Sequence, residues 1–142
     1  MAIITKSIYQ PKDADDGLRI LITRFYPRGI KRDHFDLWIK ELSPSIDLLL
    51  GYKEGKYSWD VFKQIFLYEI ANNIDSLEIL CTLHEQSTTL DITFLCFERD
   101  GNPCHRHLVK EITESPRLLN DFFEPEDTNY HEGRSMKILI SN

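Results

Sequence analysis

Two groups of residues carry the chemistry that this sequence can offer. Arg24, Tyr26 and Arg28, with Lys31 and Arg32 close behind, follow directly on an apolar run. Open α/β sheets bind ligands beyond the ends of their strands, which is where such a run would deliver these side chains. A guanidinium presents a planar fork of donors that can bond two oxygens of a phosphate or carboxylate at once. The alternative is that these side chains are solvated or paired with neighbouring acids. Pro27 and Gly29 fix the backbone around the arginines and favour a built anion site.

The second group is Cys96, Glu98, Cys104, His105 and Arg106, joining the end of an apolar stretch to the start of a predicted helix. Helix N-termini present unpaired N–H groups and positive partial charge, so a thiol at Cys104 gains thiolate character and an anion can dock beside it. Glu98 would face the same crevice as a base or a cation partner. These considerations select Cys104 and Glu98 as candidate catalytic residues. Arg24, Tyr26, Arg28, Ser45, Cys96, His105 and Arg106 are candidate ligand contacts. Two of these have a structural alternative: Cys96, inside an apolar stretch, reads as buried core, and Ser45, before Ile46-Asp47-Leu48, reads as a helix cap.

Cys96, Cys104, His105 and His107 are also four N/S donors within twelve residues. Structural zinc sites use tighter knuckles, and two histidines two apart on a helix diverge, so the spacing predicts no metal. A phosphate loop, a dinucleotide glycine fingerprint and a nucleophile elbow are all absent, and no cofactor is expected.

These groups need strands and helices to position them. Ala2 to Ile8 reads as a short strand, and a polar turn ending at Gly17 leads into Leu18–Thr23, apolar on both faces as in a strand covered from both sides. Asp33 is placed to cap a helix carrying Phe35, Trp38, Ile39 and Leu42 on one face, stopped at Pro44. Ser58 opens a helix with Trp59, Phe62, Phe66 and Ile70 along one side, and another runs from Asp75 to about Gln86. Thr89 to Phe97 is the clearest central strand, Cys104 to about Glu114 is helical, and Lys137–Ile140 is a last strand. Residues 115 to 135 look acidic and loop-rich. The two tryptophans, with Phe62 and Phe66, fall at core spacing and not as a base-stacking platform.

Alternating strands and helices predict an α/β fold, a mainly parallel sheet of about four strands with helices on both faces. With 142 residues, 42% hydrophobic and 28% charged, the chain suits a single packed domain over residues 1 to 142. The net charge of −6 argues against coating nucleic acid or anionic membrane through the overall field. Residues 1 to 40, however, hold eight basic and five acidic groups, so an anion site should draw on that part. An N-terminus without a long apolar run and the absence of a membrane-length segment predict a cytoplasmic protein. Its three cysteines read as free thiols.

The run Asp16-Gly17-Leu18-Arg19-Ile20-Leu21-Ile22-Thr23-Arg24-Phe25-Tyr26-Pro27-Arg28-Gly29 resembles the opening signature of the domain of unknown function 488 family, including its YeaO-like branch. Trp38 with Lys40-Glu41-Leu42, Ser43-Pro44-Ser45 with Leu48, Trp59-x-x-Phe62 and Glu69-Ile70 follow in that family's order. Leu95-Cys96-Phe97-Glu98 and Cys104-His105-Arg106 are similar to its strand-end and helix-start motif. The likeness spans roughly residues 7 to 112. It implies an intracellular α/β protein and brings no settled substrate or reaction. The chain departs from the branch at Thr23, where an aspartate is usual, and at Leu49, where an arginine is usual.

Three functions fit these readings: a pocket protein or enzyme taking a small anionic, phosphate-containing ligand; a module that holds nucleic-acid phosphates with the same arginines; and a non-catalytic interaction protein presenting residues 115 to 135. Oligomeric state is not readable from the sequence.

Overall fold

The computed structural model describes residues 2–98 and 102–124. Four strands, β1 (Ile3–Ser7), β2 (Leu18–Leu21), β3 (Leu37–Trp38) and β4 (Ile92–Cys96), form one sheet in the order β1-β4-β2-β3. Every pairing is parallel, with Ile3 beside Ile92, Leu18 beside Ile92 and Ile20 beside Leu37. The β-branched and aromatic run of β4 suits the central position, and all five of its residues are buried. The chain skips over the β4 position between β1 and β2 and later returns to fill it. The order therefore switches there, and Cys96 ends β4 between Ser7 and Ile22.

Four helices follow the same local rules. Ser45, Ser58 and Asn73 accept backbone N–H bonds at the starts of α1 (Ile46–Lys53), α2 (Trp59–Ala71) and α3 (Ile74–Gln86), while Cys104 precedes α4 (His105–Glu114). Their buried faces meet one side of the sheet: Ile3, Ile20, Ile22, Ile92 and Phe94 pack with Leu48, Phe66, Leu80 and Val109. The alternate residues Leu21 and Leu95, with Ile8, face the other side. That side is covered by Trp38 of β3 and by Tyr26, Ile30 and Phe35 of the connection from β2 to β3, which has only a 3-10 turn at Arg32–His34.

The same side buries charge. Arg19 is 1% exposed and Asp16 2%. The Arg19 guanidinium donates through Nη1 to Asp16 and through Nε to the His34 carbonyl at 2.9 Å. Lys6 Nζ reaches both carboxylate oxygens of Asp16 at 3.0 and 3.1 Å.

Two expectations are corrected. No helix runs from Asp33 to Leu42; the stretch holds two 3-10 turns and β3, which is the fourth strand of the sheet. The segment after α4 is not open loop as far as it is described, because Pro116–Phe122 forms a 3-10 helix with Leu119 fully buried. Residues 125–135 and the expected strand Lys137–Ile140 lie outside the described residues. Among the described residues, no helix is long and apolar enough to cross a membrane.

Candidate functional site

A cleft of about 880 Å³ opens beyond the carboxyl ends of β4 and β2, the place where a parallel sheet with a switch in strand order binds ligands. The end of β4 supplies Cys96, Phe97 and Glu98, and the start of α4 supplies Cys104 and His105. The segment after β2 supplies Thr23, Arg24, Tyr26 and Arg28. Tyr52, Trp59 and Phe62 form an aromatic wall, in which the Trp59 and Phe62 rings stack 5.0 Å apart.

The floor of the cleft is a cysteine pair around one histidine. Cys96 Sγ lies 3.6 Å, and Cys104 Sγ 3.7 Å, from His105 Nδ1. His105 Nε2 lies 2.5 Å from the Ile22 carbonyl. A carbonyl only accepts, so the ring carries its proton on Nε2 and leaves Nδ1 to exchange a proton with the thiols. Phe66 packs edge-on against the ring and holds its plane. All three side chains are buried, at 3%, 3% and 7% exposure.

The two thiols are driven apart. Burial raises the Cys96 thiol, and the neighbouring Cys104 sulfur raises it further. Cys104 is held well below the ordinary thiol range, first by the Cys96 S–H bonded to its sulfur, then by His105 and the Arg106 backbone N–H, against the opposing effect of burial. These opposed shifts favour the anion on Cys104 over Cys96.

The arginines are placed differently from one another. Arg28 is exposed at the cleft mouth. Arg24 is half-buried, with Nε on the Pro44 carbonyl at 3.0 Å and Nη2 on that of Ser43 at 3.3 Å, so part of its fork serves the backbone. Tyr26 gives its hydroxyl to the Ile30 carbonyl at 2.5 Å and offers its ring to Arg32. Lys31 and Arg32 lie outside the cleft lining.

Two candidate ligand contacts are elsewhere. Arg106 is fully buried and donates to the Glu98 carbonyl; one position along the helix from His105, it turns beneath the cleft instead of into it. Ser45 caps α1, and its hydroxyl and N–H meet the Glu69 carboxylate at 2.5 and 3.0 Å, away from the cysteines. Glu98 lines the cleft, but His105 is the group that touches the thiols. Trp59, read as core, is half-buried and contributes to the cleft wall. The capping signal at Ser58 and the aromatic spacing of α2 were the only sequence traces of that wall.

The protein is thus a parallel α/β domain whose cleft, at the switch in strand order, has a cysteine pair and a histidine at its floor. The chain belongs to the DUF488 family: the model for the active DUF488-N3 subclade matches residues 3–117. Over 75 residues it is 36% identical to the uncharacterised protein YeaO of Escherichia coli (strain K12), covering 51% of this chain and 65% of that one. Over 74 residues it is 30% identical to the uncharacterised protein Rv3073c of Mycobacterium tuberculosis (strain ATCC 25618 / H37Rv), covering 51% and 63%. The chain thus spans a little under two thirds of the length of these curated relatives. No solved structure matches it. Thr23 and Leu49, its two departures from the YeaO-like pattern, both line the cleft.

Proposed function

We propose that the protein is a thiol-dependent enzyme acting on an anionic substrate, with Cys104 as nucleophile, His105 as its proton partner, and Arg28 with the remaining donors of Arg24 receiving the anion. One observation carries this reading: at the cleft floor Cys104 Sγ lies 3.7 Å from His105 Nδ1, and the ring's other nitrogen is anchored on Ile22. A nucleophile beside a base that a third group orients is the arrangement covalent catalysis needs. In the reaction the Cys104 sulfur bonds to an electrophilic phosphoryl or acyl centre as the leaving group departs. The Cys104 thiol proton, taken up by His105 Nδ1, passes to that leaving group, and a water then cleaves the adduct, giving its proton to Nδ1 as the Cys104 sulfur leaves. The aromatic wall accommodates an apolar portion of the substrate. Description of the matched subclade as active accords with this reading.

Alkylation by two reagents that differ only in charge tests it. Relative to Cys81, Cys104 should react faster with iodoacetate than with iodoacetamide, and Arg28→Ala should reduce that preference several-fold while leaving iodoacetamide labelling unchanged. Equal preference at Cys81 and Cys104 would contradict an anion-receiving cleft. A second reading, in which the cleft holds a nucleic-acid phosphate, draws on the exposed Tyr9 and Phe25 beside Arg28 at the mouth. Salt-dependent protection of Cys104 by a single-stranded oligonucleotide, with none by inorganic phosphate, would favour it.

A further inference from the structure

We infer that Cys96, Cys104 and His105 also form a three-ligand site for zinc, with its fourth position opening into the cleft. The inference rests on geometry and goes beyond the catalytic reading: it gives the same three side chains a second, metal-held state. The three donor atoms lie within 4.8 Å of one another. Zinc holds sulfur at about 2.3 Å and imidazole nitrogen at about 2.0–2.1 Å, so the sulfur–nitrogen edge of its tetrahedron is about 3.5–3.6 Å. The two such edges here are 3.6 and 3.7 Å. Little movement is needed for the ion to enter.

The outer shell matches as well. A metal-bound histidine almost always gives its other ring N–H to a carbonyl or carboxylate, which fixes the tautomer and aims the free nitrogen. His105 does this through Nε2 on Ile22, leaving Nδ1, which lies 3.6 and 3.7 Å from the two sulfurs, as the metal donor. Two thiolates offset the charge of the ion, and thiolate with imidazole suits zinc better than the hard cations that prefer oxygen. Wide spacing argued against a zinc knuckle in the sequence, and the fold answers that objection: Cys96 ends β4, Cys104 immediately precedes α4, and the packing of α4 on β4 brings the two together. His107, the fourth sequence candidate, is turned away, with its Nδ1 3.4 Å from the Thr5 hydroxyl. The fourth position is therefore free of protein among the described residues, as in zinc sites that keep one place for water or substrate. A bound ion would hold both sulfurs and block their alkylation.

Cobalt replaces zinc in such sites and reports its ligands by colour. Protein stripped of metal by a chelator, with a phosphine reductant keeping the thiols reduced, should bind one Co²⁺ per chain. Strong near-ultraviolet sulfur-to-cobalt charge transfer and tetrahedral visible bands should appear and vanish on adding Zn²⁺. Loss of an outer-shell partner weakens a metal site about 10–100-fold, so Cys104→Ser, which loses a ligand, should weaken Zn²⁺ binding by roughly 100-fold or more. Serine is a favoured N-cap residue, so this variant should keep α4 and the fold, and Cys81→Ser should bind as the unaltered protein does. Independently of any variant, Zn²⁺ should shield Cys96 and Cys104 from iodoacetamide and leave Cys81 open. The absence of a charge-transfer band, an undiminished band in Cys104→Ser, or equal shielding of Cys81 would overturn the assignment. None of these bears on whether the metal-free Cys104 is the nucleophile, which the charged-reagent comparison decides separately.

Discussion

Gly17→Ala should lower the unfolding free energy by about 3–5 kcal/mol, combining backbone strain of about 1–3 kcal/mol with overpacking of similar size. Gly17 joins the turn at Asp13–Asp16 to β2 with φ 63° and ψ −131°, a conformation that side chains resist. A Cβ there would stand 2.2 Å from the Asp91 carbonyl oxygen, which is itself bonded to the Leu18 N–H at 2.9 Å. Relief would have to come from the backbone, because the clash is not with a flexible side chain. The start of β2 and its pairing to β4 would shift together, and Arg24 and the rest of the cleft segment hang from the far end of β2. Urea unfolding measures the loss; a change below about 1 kcal/mol would mean that this crossing is looser than described.

Asp16→Asn should cost about 3–5 kcal/mol at neutral pH, the range for removing one partner from a buried ion pair. The cost comes from Arg19, left nearly fully buried with no carboxylate beside it, and from Lys6, which exchanges an ionic partner with two oxygens for a neutral amide with one. Burial by itself raises the Asp16 carboxyl, but the Asp13 backbone N–H, Lys6 and Arg19 outweigh it and hold the group below its ordinary value. A depressed carboxylate stabilises the fold at every pH above its unfolded pKa of about 3.9, and that contribution is lost as pH falls through the lower folded value. The gap between unaltered protein and variant should therefore be widest near neutral pH and narrow below about pH 4. A gap that does not change with pH would show that the lost interaction is not ionic.

This ion network was illegible in the sequence. Arg19 is the one charge within the apolar run of β2, and period-2 reasoning sends such a residue to solvent; only the turn before β2 brings Asp16 back over it. The missed strand β3 has a related cause. Phe35, Trp38, Ile39 and Leu42 fall at helical spacing, yet Leu42 and Ile39 join the core beneath the helices while Phe35 and Trp38 join the core on the opposite face of the sheet. One helix face cannot serve two cores on two sides of a sheet, so the segment is a short strand between 3-10 turns.

Where packing and capping act locally, the sequence was readable. β1, β2, β4 and the helices α2, α3 and α4 lie within a few residues of their predicted places. The assembly of Cys96, Cys104 and His105 followed from placing a strand end next to a helix start. The inward turn of Arg106 onto the Glu98 carbonyl across the β4–α4 connection, and the engagement of Ser45 with Glu69 of α2, depended on how the elements pack, which no local pattern encodes.

The proposed chemistry requires Cys104 to be a thiolate poised by Cys96 and His105. The measurement that tests it most directly is the rate of iodoacetamide labelling at each cysteine as a function of pH, read by peptide mass mapping on the reduced, metal-free protein. Cys104 should label first, with a midpoint well below the ~8.5 of an ordinary thiol, because only the thiolate attacks. Cys81, which burial and Glu85 raise, should follow an ordinary or higher midpoint. A Cys104 midpoint at or above ~8.5, or a Cys104 rate no greater than that of Cys81 near neutral pH, would contradict the account.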